Sequence, residues 1–177
     1  LKLLAGGKFA RRDLMSWFRK KAKREKIIEA FGSLKMNYHF KVHKDKQGFW
    51  AECLEIQSCQ TQGETLDEIY INAKEALNLL LDEPQVSKVV FPLPFKKLKA
   101  IKNVIEVIVE PSIAFAFLLR RSRLLMGFTQ QEMKELLKFK TPFSYHKLEK
   151  SKYAKPTLKS LQHIKDCIPD FQFQLLL

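Results

Sequence analysis

Within the stretch HFKVHKDKQGFWAECLE lie His39, His43, Asp45, Glu52 and Glu55. Imidazoles and carboxylates this close in sequence are the groups from which a metal site or a metal-dependent nuclease centre is built. The pattern around them argues against that chemistry. Tyr38, Phe40 and Val42 alternate with His39, Lys41 and His43, which puts both histidines on the solvated face of a half-buried strand with no third ligand at a defined spacing. The carboxylates are spread along one hairpin as ordinary solvated strand positions, or as an acidic contact for a basic partner. No catalytic residue, metal ligand or cofactor is therefore assigned.

A second constellation is TQQEMKELLKFKTPFSYHKLEK, residues 129 to 150. Thr129 followed by Glu132 is a capping box, and Thr141 followed by Pro142 is an N-cap with proline at the first helical position. Two short helices joined by a corner have the proportions of a helix-turn-helix, whose second helix presents side chains to base edges in the major groove. On this reading Thr141, Ser144, Tyr145 and Lys147, with Lys140 at the corner, form the exposed reading or phosphate-contacting set. Gln130 contacts the phosphate backbone from the preceding helix. The plainer alternative is a helical cap over a core, with a solvated basic face.

The elements that must carry these residues follow from periodicity. Residues 36 to 110 predict an α+β arrangement, ββ(β)αβ. Two strands flank the turn ending at Gly48, and a third short strand covers Ser58 to Gln62. A helix is capped by Thr65 with Glu68, with Leu66, Ile69, Tyr70, Ala73, Leu77 and Leu80 on one face, and stops before Pro84; a last strand covers Val104 to Val109. After Pro111 everything reads as helix. Ser112 caps a first helix ending at Gly127, the capped pair follows, and a fourth helix comes after Pro156 with Leu158, Leu161, Ile164 and Ile168 inward.

Charge divides the 177 residues in the same places. The chain holds 32 Lys+Arg against 19 Asp+Glu, a formal +13, which suggests a polyanionic partner. Residues 1 to 35 carry +8, 36 to 110 carry −2 and 111 to 177 carry +7. Three modules are expected: a basic, helical amino-terminal extension, an acidic sheet domain and a basic helical domain. The extension, with Leu14, Trp17, Phe18, Ile28 and Phe31 at loosely helical spacing, reads as a solvated segment foreign to the native chain or as a basic amphipathic helix. Cys53, Cys59 and Cys167 are odd in number and form no CxxC pair, and no apolar run is long enough to span a bilayer, so a cytoplasmic protein without membrane attachment is expected.

The stretch YHFKVHKDKQGFWAECLEIQSCQTQGETLDEIYINAKEALNLLL resembles the amino-terminal domain of HicB-type antitoxins. The likeness is carried by Gly48, Trp50, Ala51, Glu55, Cys59, Thr61, Gly63, Thr65, Glu68 and the Asn72-Ala73-Lys74-Glu75-Ala76 run. The segment from Ser112 to Ile164 is similar to the Xre-like helix-turn-helix that many HicB proteins carry. It shares an Arg near the end of the first helix, Thr-Gln at the second, Leu148-Glu149 and Pro156. It departs from the family in a longer corner, Lys138 to Thr141, that lacks glycine. The likeness covers 36 to 177 and places the native start at Met36.

What the resemblance implies is a truncated ribonuclease H-like fold without catalytic carboxylates, followed by a DNA-binding domain. It further implies a non-enzymatic antitoxin of a type II HicA/HicB-like system, which binds a small basic mRNA-cleaving HicA-like toxin and represses its own operon by binding operator DNA. Trp50, Glu52, Glu55 and Ile56 are then expected to touch the toxin, and a homodimer or higher even oligomer is expected because one recognition helix reads too few base pairs. The alternatives are a stand-alone transcriptional regulator whose sheet domain dimerises or senses a ligand, and a nuclease using Asp45 or Glu52.

Overall fold

This computed structural model describes residues 36–46, 48–83, 87–95 and 102–176. The extension read at residues 1 to 35 and the stop expected at Pro84 lie outside them. The described residues form one compact unit.

Strands β1 (Asn37–Lys44), β2 (Phe49–Cys53) and β3 (Gln60–Gly63) form an antiparallel meander. In β1, Tyr38, Phe40 and Val42 are buried. The β1–β2 turn is closed by Asp45 N–H donating to the Gly48 carbonyl at 3.0 Å. Gly48 sits at φ +145, and a Cβ there would lie 2.7 Å from the Gly63 carbonyl oxygen, so both conformation and space require glycine. Helix α1 (Leu66–Leu81) crosses to the far edge, where β4 (Val104–Ile108) pairs antiparallel with β1, and the sheet order is β3-β2-β1-β4. The Thr65 hydroxyl accepts from Glu68 N–H, but the Glu68 carboxylate takes the Glu64 N–H, one residue ahead of the cap. Ile69, Ala73, Leu77 and Leu81 are buried, while Leu66 and Tyr70, expected on the same face, are exposed.

Helix α2 (Pro111–Leu125) begins one residue before the expected cap: Glu110 is the N-cap, Pro111 is the first helical residue, and no side chain caps the end. Proline is the reason, since its fixed φ suits the first turn. Every side chain from Ala114 to Arg120 is buried, so α2 is a central helix with cover on all sides. Arg120 Nη1 donates to the Glu83 carbonyl beyond α1, Arg121 Nε donates to the Phe91 carbonyl, and Phe115 meets Phe171 edge-on at 6.4 Å. α2 ends as the sequence predicts: Gly127 adopts φ +70, and Phe128 N–H reaches back to the Arg123 carbonyl in a Schellman closure.

Around α2 stand α3 (Gln130–Leu136), α4 (Pro142–Leu148) and α5 (Leu158–Cys167), followed by a 3-10 turn at Phe173–Leu175. The Thr129–Glu132 capping box is complete, and the Thr141 and Thr157 hydroxyls accept the N–H groups three residues on. Leu161, Ile164 and Ile168 are buried as expected, whereas Leu158 is exposed; in the capped pair Met133 and Leu137 are buried and Leu136 is half-buried. The architecture is α+β: a four-stranded antiparallel sheet with one helix, then several short helices. Among the described residues no helix is long and apolar enough to cross a membrane.

Candidate nucleic-acid interface

The corner between α3 and α4 is built without glycine. Lys138 takes φ +53, its N–H bonds to the Glu135 carbonyl, and Phe139 N–H bonds to the Lys134 carbonyl, a Schellman closure with lysine in the left-handed position. His163 of α5 donates from Nε2 to the Leu137 carbonyl at 2.9 Å and steadies the same corner. A left-handed conformation costs a residue with a Cβ about 1 kcal/mol that glycine escapes. Lys138→Gly is therefore expected to stabilise the chain by roughly 0.5–1 kcal/mol in urea unfolding.

Below this corner lies a buried polar hub. Glu149, 4 % exposed, receives Arg123 Nε on Oε1 at 2.6 Å and Arg123 Nη2 on Oε2 at 3.0 Å. The same two oxygens accept Tyr145 Oη at 2.5 Å and Gln130 Nε2 at 2.8 Å. Both carboxylate oxygens thus carry two donors, and one side chain joins α2, α3 and α4. Burial raises the Tyr145 phenol above its ordinary range and the Glu149 carboxylate raises it further, so it stays a proton donor. Burial works to lower the Arg123 pKa, but the hydrogen bond and charge of Glu149 outweigh it and the net shift is upward.

This hub corrects two expectations. Tyr145 is fully buried, against Phe139 and Glu149, and does not belong to an exposed reading set. Gln130 is half-buried, with its amide directed to Glu149 and its carbonyl oxygen 3.3 Å from His146 Nδ1. The other expected residues do reach the surface. Lys140, Thr141 and Lys147 are exposed and Ser144 is half-buried, although the Thr141 and Ser144 hydroxyls bond to each other at 2.8 Å.

Sequence reasoning missed Phe143, which is 63 % exposed with Lys147 Nζ 4.5 Å above its ring, and the exposed Lys150, Lys152 and Lys155 that extend the basic face. From residue 137 to 165 the only carboxylate is Glu149, and it points inward. A lone acid in a lysine run, four residues after a tyrosine on a helix, was the available signal of a buried pair.

On the sheet, His43 stacks on its cross-strand partner Trp50 with ring centroids 4.0 Å apart, and its Nε2 lies 3.0 Å from Glu52 Oε1. Trp50 and Glu52 are therefore accessible on the sheet face that carries Lys41. Glu55 and Ile56 are not: both are buried, so neither is an exposed contact. His39, expected on a solvated face, is buried as well, with Nδ1 2.6 Å from Glu55 Oε1. The Glu55 carboxylate also accepts His39 N–H, Phe95 N–H at 3.2 Å and the Cys53 thiol, and so ties β1 to the 87–95 segment. Glutamine there would set an NH₂ against these donors. Glu55→Gln is expected to cost about 2 kcal/mol in denaturant unfolding and to speed hydrogen exchange at the Phe95 amide.

Among the described residues no three His, Cys, Asp or Glu side chains gather as a metal site. Compared with known proteins, the chain matches no family model and no curated protein.

Proposed function

We propose that this chain is a HicB-like antitoxin and autorepressor, without enzymatic activity of its own. Its sheet region is read as the truncated ribonuclease H-like part that binds a small, basic, RNA-cleaving HicA-like toxin, and α3 with α4 as the helix-turn-helix that binds operator DNA. The observation that carries the DNA half is the arrangement of charge. Glu149 is turned inward to lock α2, α3 and α4 together, which leaves Lys140, Lys147, Lys150, Lys152 and Lys155 on the surface, and the carboxylate that reaches this run, Asp82, is bonded to Ser151 at 2.7 Å. A helix pair held together from inside and bearing a lysine-rich face suits a phosphate backbone. The toxin half rests on the residue-by-residue likeness at Gly48, Trp50, Gly63, Thr65, Glu68 and the run Asn72 to Ala76, and on the −2 charge of residues 36 to 110, which suits a basic partner. Trp50 and Glu52 are the accessible candidates for that contact. Self-association as an even oligomer in the cytoplasm belongs to the same reading, since paired recognition helices match paired half-sites.

Co-expression with the product of the adjacent gene tests it. Stable co-purification and relief of that product's growth arrest are expected; a chain that binds operator DNA but neither captures nor neutralises the neighbour would instead be a stand-alone regulator.

A further inference from the structure

A phenyl ring left 63 % exposed on a helix that has a core to bury it in calls for a partner. Phe143 has no part in that core. Tyr145, two residues on, turns inward to Glu149, while Phe143 and Lys147, four residues apart, share the outward face with Lys147 Nζ 4.5 Å over the ring. Lys140 and Lys150 flank this pair, both exposed.

The chemistry of that face narrows the ligand. Lysines attract a polyanion, but a phenyl ring offers neither donor nor acceptor, and pressing it against polar base edges would desolvate them without return. The major groove of duplex DNA displays one apolar group, the C5 methyl of thymine. Thr141 and Ser144, whose hydroxyls are bonded to each other, offer little competing polar readout beside the ring.

We propose that Phe143 is a specificity-determining residue that reads a thymine methyl in the major groove, with Lys147 holding the adjacent backbone or guanine edge. The proposal rests on the DNA-binding reading above and adds what is read.

The test uses the full chain and a random duplex DNA pool enriched at about 0.15 M salt. In the enriched duplex each thymidine is replaced in turn by deoxyuridine, which removes only the methyl. Wild type is expected to lose about 3- to 10-fold in affinity at one thymine position in each half-site. Phe143→Ala, whose unfolding curve should match wild type because the ring is exposed, is expected to bind more weakly and to show no deoxyuridine effect there. Enrichment of a duplex with no sensitive thymine, or a sensitivity that persists in Phe143→Ala, would overturn the methyl reading while the DNA-binding reading stands. Binding no tighter to any duplex than to its separated strands would overturn both.

Discussion

Glu149→Gln is expected to destabilise the chain by about 3–5 kcal/mol, the cost of removing one partner from a buried ion pair. The substitution conserves volume, so the loss comes from charge and hydrogen bonding. Arg123 would keep a buried guanidinium without its carboxylate, and the new NH₂ would face two of the four donors that now converge on Glu149. Against a total stability of about 5–15 kcal/mol for a domain of this kind, that loss brings the helical region close to unfolding at 37 °C. Tyr145→Phe, which removes one donor to a charged acceptor, should cost about 1.5–3 kcal/mol. Replacing both ions with methionine, Arg123→Met with Glu149→Met, should recover part of the loss, because the attraction of a buried pair largely offsets its own desolvation while the Tyr145 phenol is left without its acceptor. Urea unfolding of the four proteins checks the set. A double variant no more stable than Glu149→Gln would show that the hub does more than balance its charges.

The hub also shows where the sequence is legible and where it is not. Order and type of the strands and helices follow from local signals: the alternation in β1, the glycines at 48 and 127, and the Thr129 and Thr141 caps all act within a few residues. Boundaries shift where a neighbour competes, as at Ser112, where Pro111 starts α2 first. Burial of polar groups is less legible because it depends on partners distant in the chain. Glu55 meets His39 across 16 residues and Phe95 across 40, and Glu149 meets Arg123 across 26. Strand alternation places His39 and Glu55 in solvent, and helix periodicity alone does not say that Tyr145 belongs inside. The exposed set was readable at Lys140, Thr141 and Lys147, whose charge or cap role is local, and missed at Phe143, because an aromatic residue in a helix is ordinarily assigned to the core.

The two regions of charge make separable demands, and the lysine face gives the second large effect. Lys140, Lys147 and Lys150 are exposed and none is ion-paired among the described residues, so replacing all three with glutamine should leave folding stability within about 0.5 kcal/mol of wild type. The proposed DNA binding should respond strongly. Each phosphate contact contributes about 0.9 to the slope of log K against log salt, so three lost contacts lower the slope by about 2.7. At about 0.15 M salt the released counterions of one contact correspond to roughly 5-fold in affinity, and three to on the order of 100-fold. A salt titration of the triple variant on the enriched duplex measures both quantities together. Neutralisation of the proposed toxin should be unchanged, since Trp50 and Glu52 lie on the sheet. Loss of affinity with an unchanged slope would place these lysines outside the phosphate contacts, and loss of DNA binding together with neutralisation would mean that the sheet and helical regions do not act separately. Glu149→Gln gives the complementary pattern: its surviving folded fraction should bind with the wild-type slope, because every lysine of the face is still present.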